Sequence, residues 1–567
     1  MRVLLVTLHS KFIHASLALP CLFAYCREQT GIPLDLQIRE FTVHEPRGQI
    51  LAALLAEEPD VVAFSVYLWN RRETLELVDA LAAVRPEVRT VLGGPEVSFD
   101  GPELFAAHPG LSALVRGEGE IPLAGLLAAW GAGEEPAGVP RLAWRQGERI
   151  SEGPEGAPLA DLDAIPSPFA LGLSDCSRGV VYLETSRGCP YSCAFCMSAL
   201  DTAVRSFSTQ RIRSDLERLM GERVPLIKLV DRTFNYDGAR ARQIWSFILA
   251  HNQGSTFHFE IGAHLLGEED LQLLATVPAG RFQFEIGVQS TLPATLEAIG
   301  RRAPLERLEE NVRRLRAVGN IHLHLDLIAG LPGEGYRPFL ASIDRVLALR
   351  PHHLQVEPVK LLPGAPLRQQ AADLELRFDP NPPYTVLATA DLTFAELQRL
   401  AGISRLLDLT WNSGRGGGFL HGLAAVCGSV SAGLEQLEGW FRRQGKFRHP
   451  LSQRGLFEAL AEWVEEEFAG EAREQLRELL ARDLARCERL APDTAPPFFD
   501  LQLREEEKRE IAARVRSESA RHKGQGVKVQ QFAAVFSRLP EHPGRTILLF
   551  FYLTRPGRGL EIVETPL

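Results

Sequence analysis

Two periods of hydrophobic residues, one typical of strands and one typical of helices, alternate through the first part of the chain. Apolar, β-branched runs predict strands at residues 3–8, 34–41, 61–66 and 90–93. Amphipathic stretches predict the intervening helices at residues 17–28, 47–57 and 74–84. Alternating strands and helices separated by short Gly and Pro breaks predict a doubly wound, Rossmann-like parallel sheet over residues 1–135.

Four loops lie at the edge of this predicted sheet where ligands bind in folds of this kind. They comprise residues 9–16, 65–70, 93–96 and 117–120. Gly94 and Gly117 allow the backbone to approach a large flat ligand closely. The first strand is not followed by a G-x-G-x-x-G sequence, which argues against a dinucleotide. Two other interpretations stay open at this point: the sheet binds no ligand, or it binds a nucleotide.

The pattern changes further along the chain. Residues 136–178 are rich in Gly, Pro and small side chains, contain a hairpin-like stretch at 141–150, and are predicted to be a linker. Strands are then predicted at residues 179–184, 226–230, 256–261, 283–288, 321–328 and 354–361. These six strand–helix units predict a partial (β/α)6 barrel over residues 179–370, in which polar residues at the strand ends line the active site.

Residues 371–567 are predicted to form a third, mostly helical α+β domain. Long amphipathic helices are predicted at residues 392–407, 419–444 and 455–490, and a further helix ends near 521. Strands follow at residues 527–536 and 546–553. The chain as a whole is therefore expected to be an α/β protein of three domains joined by one linker.

Composition and charge narrow the range of functions. The 567 residues are 45% hydrophobic and 24% charged, as in globular proteins, and the net charge of −10 gives no support for a nucleic-acid-coating surface. No apolar run is long enough to span a bilayer, and the first residues are predicted to be a strand rather than a signal peptide. Eight Cys in this length are not a disulfide framework, so we expect a reducing cytoplasm.

Three Cys form the strongest chemical motif of the chain. Cys189, Cys193 and Cys196 are spaced C-x3-C-x2-C on a loop that begins where a predicted strand ends. Three thiolates can hold three irons of a 4Fe–4S cubane, which normally takes four Cys. The neighbouring Cys in sequence are Cys176 and Cys427, so one iron would stay open to a small molecule. A zinc site is the alternative, but it needs a second pair of ligands that the sequence does not supply.

This array, with Phe195 before its last Cys, resembles that of the radical S-adenosylmethionine (radical SAM) enzymes. The resemblance implies a 4Fe–4S cluster on the three Cys, with SAM bound to the open iron and reductively cleaved to a 5′-deoxyadenosyl radical. The predicted SAM contacts are Phe195, Asp231, Glu285, Gln289, Asp326, Ile328, Gly330 and Leu331. Among them, Asp231 is expected to meet the ribose or the substrate. Two interpretations stay open for three further residues, which either contact the substrate or are ordinary polar residues of the barrel: His258, Glu260 and His264.

The first sheet, placed before such a motif, resembles the cobalamin-binding domain of the B12-dependent radical SAM enzymes. Leu-Gly-Gly-Pro-Glu at residues 92–96 and Gly-Glu-Gly-Glu at 117–120 carry this resemblance. The implied cobalamin contacts are His9, Ser10, Ser65, Tyr67, Leu68, Gly93, Gly94, Pro95, Glu96, Gly117, Glu118 and Glu120. The D-x-H-x-x-G motif that supplies a cobalt-binding His in other B12 proteins is absent. The cobalamin is therefore implied to be base-off, with no His or a different group on the lower face of cobalt.

The opening segment and residues 411–415 resemble a subgroup of these proteins that shares a C-terminal domain of unknown function (DUF4080-like). Together the resemblances imply methylation of an unactivated carbon in a small-molecule or peptide substrate through methylcobalamin. They imply a flavodoxin- or ferredoxin-type electron donor and no membrane or nucleic-acid partner. Three alternatives stay open: a rearrangement or cyclisation with the same cofactors, RNA modification, and cobalamin sensing without turnover.

Overall fold

The structure is a computed structural model that describes residues 1–523, 526–555 and 559–567. The chain divides into two compact units. The first comprises Met1–Asp326, Gly330–Gly333 and Pro358–Asp391, and the second comprises Leu327–Ala329, Glu334–Glu357 and Leu392–Leu567. The predicted boundaries at residues 135, 178 and 370 do not coincide with this division and stay predictions.

The first unit begins with a seven-stranded sheet of order β2-β1-β3-β4-β5-β6-β7. Its strands are β1 (Arg2–His9), β2 (Asp35–Thr42), β3 (Val61–Ser65), β4 (Arg89–Gly93), β5 (Leu111–Val115), β6 (Leu142–Gln146) and β7 (Arg149–Glu152). Its helices are α1 (Ala18–Gln29), α2 (Arg47–Ala56), α3 (Arg71–Val84), α4 (Pro102–Ala107) and α5 (Glu120–Ala132). The first five strands run parallel, which confirms the predicted doubly wound sheet.

The last two strands coincide with the hairpin-like stretch predicted at residues 141–150. β5 pairs antiparallel with β6, and β6 pairs antiparallel with β7, so the predicted linker contributes two strands to the first sheet. Ala143 and Trp144 of β6 are buried, because the hairpin covers the otherwise open edge of β5. A short hairpin in a Gly- and Pro-rich stretch carries little hydrophobic signal of its own.

A second sheet of six strands follows, in the order β8-β11-β12-β13-β14-β15. Its strands are β8 (Val180–Leu183), β11 (Leu226–Leu229), β12 (Thr256–Glu260), β13 (Phe282–Gln289), β14 (His322–Ala329) and β15 (His353–Pro358). Its helices are α6 (Thr209–Gly221), α7 (Gly238–His251), α8 (Glu268–Leu274), α9 (Pro293–Ala298), α10 (Leu305–Val318), α11 (Tyr336–Leu347) and α12 (Pro366–Gln369). Short strand pairs β9 (Ser186–Arg187) with β10 (Arg205–Ser206), and β16 (Arg377–Phe378) with β17 (Val386–Ala388), complete this part.

The strands of this second sheet alternate between a buried and a half-buried face. Phe257, Phe259, Phe282 and Phe284 are fully buried and pack with Trp245 of α7. The polar residues that alternate with them are therefore on the opposite face, which is the interior of the open barrel. The six predicted barrel strands are all present.

The second unit contains the helices α13 (Phe394–Leu407), α14 (Gly417–Cys427), α15 (Val430–Arg443), α16 (Gln453–Glu467), α17 (Gly470–Ala485) and α18 (Glu505–Arg521). It ends in an antiparallel sheet of β18 (Lys528–Leu539), β19 (His542–Thr554) and β20 (Leu560–Pro566). Two predicted long helices are each broken in two, because Gly428 and Gly470 adopt left-handed φ values of +89° and +58°. Strand β20 was not predicted.

Residues 408–412 form a π-helical turn after α13 that supports strand β15 within the second unit. The Asn412 side chain accepts a hydrogen bond from the Leu354 N–H at 2.8 Å and donates to the Leu354 carbonyl oxygen at 2.9 Å. Trp411 Nε1 donates to the Pro351 carbonyl oxygen at 3.0 Å. These side chains satisfy backbone groups of a strand at the edge of the barrel sheet.

Across the described part of the chain, no single helix is long and apolar enough to cross a membrane. Helices α14 and α15 meet that test only as a pair, and their axes are bent by 99° at the break between them.

Candidate active site

The three Cys lie on a loop of residues 188–196, here called the cluster loop. Gly188 opens the loop with a φ of +88°, and a Cβ at this position would lie 2.5 Å from the carbonyl oxygen of Ala203. Ala194 donates its N–H to the Ile299 carbonyl oxygen and accepts the Leu367 N–H, both at 2.8 Å. The loop follows β8 and β9, as predicted, and backbone bonds hold it from two sides.

Each of the three sulfurs has a polar neighbour. Arg301 Nη1 lies 3.7 Å from Cys193 Sγ, the Thr233 hydroxyl lies 3.6 Å from Cys189 Sγ, and the Ser198 N–H donates to Cys196 Sγ at 3.4 Å. Burial raises the pKa of Cys193, and the positive charge of Arg301 opposes that rise. Hydrogen-bond donors around thiolate sulfurs are among the features that set the potential of an iron–sulfur cluster.

Three thiol sulfurs on one loop, each with a polar neighbour, suit a cubane cluster. Among the described residues, no group of three or more His, Cys, Asp or Glu stands close enough together to hold one ion. A cubane binds each thiolate to a different iron, so its Cys must be spread apart around it. The sequence analysis predicts that no fourth Cys binds the cluster, since the neighbouring Cys in sequence are Cys176 and Cys427. That expectation stays a prediction.

Asp231 supports the approach to the cluster loop. It is fully buried, and its carboxylate accepts the Thr185 N–H at 3.1 Å, the Thr185 hydroxyl at 2.6 Å and the Ser186 hydroxyl. Arg240 Nη2 lies 3.7 Å away. Asp231 thus fixes the segment that precedes Cys189, and its predicted contact with SAM or substrate stays a prediction.

Arg187 joins the cluster loop to the edge loop at residues 117–120. Its guanidinium contacts Glu120 at 2.7 Å, Glu184 at 2.9 Å and Glu118 at 3.5 Å, and Glu118 also pairs with Arg205. Burial raises the pKa of Glu184 to about 6, against the opposing charge of Arg187. Glu118 and Glu120, predicted as cobalamin contacts, thus have Arg partners within the protein.

A cavity of about 780 Å³ lies at the carboxyl edge of the first sheet and is here called the sheet-edge cavity. Ten of the twelve predicted cobalamin contacts line it, namely His9, Ser10, Ser65, Tyr67, Gly93, Gly94, Pro95, Gly117, Glu118 and Glu120. Its floor is formed by apolar side chains of the strands, including Leu5, Ala63, Val91 and Val115. Ser186, Arg187 and Gly188, which directly precede Cys189, line the same cavity.

The two remaining predicted contacts do not line this cavity. Leu68 is half-buried beside it. Glu96 is 4% exposed and accepts a hydrogen bond from the Tyr384 hydroxyl, while its carbonyl oxygen accepts from Arg71 at 2.9 Å. Glu96 therefore anchors the edge loop to residues 358–391 of the same unit, a contact between positions 288 residues apart that no local pattern reveals.

Gly94 is needed for packing within the protein. Its φ is +110°, and a Cβ would lie 2.5 Å from the carbonyl oxygen and 2.9 Å from the nitrogen of Val66. The sequence suggested that Gly94 admits a flat ligand, whereas the structure also requires Gly here to let two edge loops meet.

Tyr67 and Trp69 form a stacked pair on the cavity wall, with ring centroids 4.7 Å apart and planes within 3°. Trp69 Nε1 donates to the Leu8 carbonyl oxygen at 3.0 Å, and the ring remains 46% exposed. A large flat aromatic surface held in this way can lie against a planar macrocycle.

The two His of the first edge loop have partners within the protein. His9 Nε2 lies 3.5 Å from Glu40, and His14 Nδ1 lies 2.7 Å from the hydroxyl of Tyr182 on β8. Burial lowers the pKa of His14, and the charges of nearby residues lower it further. Both His line the cavity, His9 against the first sheet and His14 beside the first barrel strand.

The barrel interior contains a row of charged residues on neighbouring strands. Glu285 on β13 is 3.2 Å from His258 Nε2 and 3.6 Å from Lys228 Nζ. Burial works to raise the pKa of Glu285, but these partners outweigh it and bring the pKa to about 2. Burial and the charge of Glu285 raise the pKa of Glu260 to about 7. His324 Nε2 lies 2.9 Å from Asp326.

The other predicted SAM contacts take different positions. Gln289 at the end of β13 has a φ of +72°, and its buried Oε1 has no hydrogen-bond partner in the described part of the chain. Gly330 adopts a φ of +85°, and the Leu331 side chain is fully buried, so only backbone atoms of Leu331 are offered to a ligand. Phe195 is half-buried in the cluster loop, and Ile328, in the second unit, is half-buried on β14.

The sequence analysis did not single out Arg301, Thr233, Arg232 or Tyr182 as site residues. Arg301 and Thr233 approach the Cys sulfurs, and Arg232 and Tyr182 line the sheet-edge cavity. Tyr182, Arg232 and Thr233 lie at or after the ends of β8 and β11, where barrel folds place functional groups, so that position was the available signal. Arg301 lies in an irregular segment after α9 and carried no such signal.

Three family models match the chain in order. The B12 binding domain matches residues 3–127, the Radical SAM superfamily matches 183–346, and a protein family of unknown function, DUF4080, matches 372–534.

Two relatives match just over half of the chain. The cobalamin-dependent radical SAM methyltransferase TokK of Streptomyces tokunonensis is 31% identical over 343 residues, which are 55% of this chain and 48% of TokK. The 2-(S-pantetheinyl)-carbapenam-3-carboxylate methyltransferase of Streptantibioticus cattleyicolor is 31% identical over 341 residues, with the same coverage of 55% and 48%. The chain thus spans about half the length of these curated relatives.

The solved structure of the cobalamin-dependent S-adenosylmethionine radical enzyme OxsB with aqua-cobalamin bound has the same fold. It covers 85% of this chain and 80% of its own, with a TM-score of 0.59 and 16% identity. The chain therefore contains, in this order, regions that match a B12-binding domain, a radical SAM domain and a DUF4080 domain.

Proposed function

We propose that the protein is a cobalamin-dependent radical SAM enzyme that methylates an unactivated carbon of a small-molecule or peptide substrate. One observation carries the proposal: residues that directly precede Cys189 line the same cavity as the Gly93–Pro95 edge loop. A corrin bound at the sheet edge and a cluster bound on the cluster loop would then be neighbours. The matching relatives, which are named as methyltransferases, favour methyl transfer over the alternatives.

The chain supplies a binding place for each cofactor. When bound, the cluster supplies the electron that cleaves SAM, and cobalamin carries the methyl group. Cys189, Cys193 and Cys196 hold the cluster, and Arg301 donates a hydrogen bond beside it. The apolar floor formed by strand residues of the sheet-edge cavity offers a dry slot for the nucleotide tail of base-off cobalamin.

The barrel interior binds and orients SAM and the substrate. Glu285, Gln289 and Asp326 lie on the interior face of β13 and β14, and Gln289 keeps a buried oxygen without a partner among the described residues. An unsatisfied buried oxygen in a positive-φ residue is costly, and a bound hydroxyl or amino group would satisfy it. Phe195 and the backbone of Gly330 and Leu331 are proposed to enclose the adenine. The role of the chain is thus positioning and water exclusion.

The partners follow from this chemistry. We propose a flavodoxin- or ferredoxin-type protein as the electron donor and a reducing cytoplasm as the location, because an exposed cluster is sensitive to oxidation. The net charge of −10 disfavours a nucleic-acid substrate.

The test is an anaerobic reconstitution with iron, sulfide and hydroxocobalamin, followed by reduction and addition of SAM with a deuterated methyl group. Bound cobalamin, 5′-deoxyadenosine and S-adenosylhomocysteine are quantified together. Cys196→Ala is the active-site variant, and Cys427→Ala is the matched control, because Cys427 is an isolated half-buried Cys of α14.

We expect bound cobalamin, with 5′-deoxyadenosine that disappears in Cys196→Ala and persists in Cys427→Ala. S-adenosylhomocysteine in proportion to product supports methylation, and its absence during turnover would indicate a rearrangement. Deoxyadenosine without bound cobalamin would refute the role of the first sheet. A protein with an intact cluster and bound cobalamin that never cleaves SAM would be a sensor rather than an enzyme.

A further inference from the structure

We propose that Arg232 binds an anionic group of the substrate, a carboxylate or a phosphate, in the sheet-edge cavity. This inference rests on the proposed function and names the chemical class of the substrate. Arg232 lines the cavity, and its guanidinium makes no hydrogen bond or ion pair with any residue that the structure describes. Guanidinium groups recognise carboxylate and phosphate with two parallel hydrogen bonds.

The charges of the cavity wall are otherwise paired. Four acidic side chains line the cavity, and each contacts an Arg of the protein: Glu120 and Glu184 contact Arg187, and Glu118 and Asp201 contact Arg205. Arg187 shares its charge with three carboxylates. Arg232 is thus the Arg of this described wall whose guanidinium forms no ion pair, and a ligand anion would provide one.

Arg232 follows the barrel strand β11 and lines the sheet-edge cavity, so it belongs to both proposed sites. Burial raises the pKa of Tyr67 on the sheet-edge side and of Glu260 in the barrel, and the charge of Arg232 opposes the rise in both. A single guanidinium therefore acts on a residue of the proposed cobalamin site and on one of the barrel interior. A substrate that receives a methyl group from cobalamin after activation beside SAM occupies the space between them.

The backbone around Arg232 is fixed on both sides. Asp231 is fully buried and bonded to Thr185 and Ser186, and the Thr233 hydroxyl donates to the Arg232 carbonyl oxygen at 2.8 Å. The same hydroxyl lies 3.6 Å from Cys189 Sγ. A cation on a rigid backbone close to the cluster loop orients a bound anion at little cost in conformational entropy.

The test measures anion binding to the reconstituted holoenzyme by isothermal titration calorimetry, which does not depend on turnover. The probes are succinate and inorganic phosphate, and succinamide is the neutral analogue of the first. The variant is Arg232→Gln. Its matched control is Arg213→Gln, which removes the same charge from an exposed Arg of α6 that does not line the cavity. Affinities for SAM and cobalamin are measured in parallel.

We expect at least one anion to bind about tenfold or more tightly than succinamide, since a charged hydrogen bond contributes roughly that factor. Arg232→Gln should abolish the preference, and Arg213→Gln should keep it. Preference for succinate over phosphate would identify a carboxylate as the group. No preference for either anion, or a preference that survives in Arg232→Gln, would overturn the proposal.

A selective loss of SAM or cobalamin affinity in Arg232→Gln would likewise overturn it, because the guanidinium would then serve a cofactor. Failure of the proposed function has a different signature. In that case the holoenzyme produces no 5′-deoxyadenosine. The calorimetric titration still decides whether Arg232 binds an anion, because it does not depend on turnover.

Discussion

The sheet-edge cavity and the barrel interior are both built at the ends of parallel strands, but they use opposite kinds of side chain. In the cavity, residues of the first sheet such as Leu5 and Val91 are apolar, and the carboxylates of the wall pair with Arg187 and Arg205 on the short strands β9 and β10. In the barrel, the interior face of the strands is itself charged, as with Lys228 and Glu285. The sheet-edge cavity is thus a largely apolar space suited to a large ligand. The barrel interior is instead a network of polar side chains.

The comparison extends to the protonation of neighbouring carboxyl groups. Glu260 and Glu285 are register partners on β12 and β13, and their pKa values are about 7 and about 2. His258 and Lys228 contact Glu285, and the like charge of Glu285 then disfavours a second anion at Glu260. Two titratable groups whose pKa values are separated by their surroundings are typical of a functional site. The main feature of the cavity is therefore its apolar shape, whereas the main feature of the barrel interior is the arrangement of its charged groups.

The strongest way to separate the two sites is to remove a ligand of the cluster. Cys193→Ala deletes the sulfur that Arg301 approaches. We expect 5′-deoxyadenosine formation to fall by more than about a hundredfold, because a missing ligand costs at least that factor in metal affinity. Cobalamin affinity should stay within about twofold, because the Cys193 side chain does not line the cavity. Iron content, deoxyadenosine and a cobalamin titration measure these effects. A parallel loss of cobalamin would show that the sites are not independent.

The second test breaks the shape of the cavity and leaves the cluster loop intact. Gly94→Ala places a Cβ 2.5 Å from the Val66 carbonyl oxygen at a φ of +110°. We expect a loss of about 1–3 kcal/mol in the free energy of unfolding and an approximately tenfold weaker cobalamin affinity. Iron content should be unchanged. Gly31→Ala is the control: its φ is also positive, at +67°, but its Cβ would have no described heavy atom within 4 Å.

If Gly31→Ala weakened cobalamin binding as much as Gly94→Ala, backbone conformation alone would explain the effect. Cobalamin absorption titrations and thermal unfolding of both variants distinguish the two explanations.

These two sites also show which features of the protein could be predicted from its sequence. The alternation of strands and helices and the Cys spacing are local patterns, so the first sheet, the barrel strands and the cluster loop were all predicted. The hairpin-like stretch at 141–150 was predicted, but its pairing with β5 was not, because that pairing leaves no mark on the composition of the stretch itself. The breaks at Gly428 and Gly470 were missed because the helical period continues across them.

The carboxylates of the site share a feature that the sequence does not show. Glu118, Glu120, Glu96 and Asp231 were expected to contact ligands, and the structure gives each of them partners within the protein, so those ligand contacts stay predictions. The partner of Glu120, for example, is Arg187, 67 residues away in sequence. A single sequence reveals that a carboxylate lies at a functional edge, but not which distant cation neutralises it. Arg232, which has no such partner among the described residues, is the complementary case.

A third test uses pH to sharpen the contrast in charge. The pKa of Glu260 is raised to about 7 in the folded protein, from an ordinary value of 4.5. The folded state therefore holds this proton more tightly, so the stability it contributes is present below pH 4.5 and is lost as pH rises through 7. Glu260→Gln cannot ionise. We expect the variant to be more stable than the native protein at pH 8 by about 1–2 kcal/mol, and the difference to shrink toward pH 5.

Urea unfolding at pH 5, 6.5 and 8 measures this trend. Glu268→Gln is the control, because Glu268 is an exposed residue that pairs with Arg314, and this pairing lowers its pKa. That variant should not gain stability as pH rises. A Glu260→Gln protein that is less stable than the native protein at pH 8 would contradict the assignment of Glu260 as a carboxyl whose burial outweighs the nearby charges of Arg232 and Lys228.

The smallest effect is expected at the margin of the cavity, where Tyr384 donates a hydrogen bond to Glu96. Tyr384→Phe removes one buried hydrogen bond and should lower the free energy of unfolding by about 1 kcal/mol. Because Glu96 anchors the edge loop without lining the cavity, cobalamin affinity should fall only about twofold to threefold. Tyr552→Phe is the control, since its hydroxyl donates to the Ala485 carbonyl oxygen at 3.2 Å within the second unit. It should cost similar stability and leave cobalamin binding unchanged. Equal cobalamin affinities in the two variants would mean that the cavity keeps its shape without the Tyr384 anchor, and that its shape depends on the contact between Gly94 and Val66.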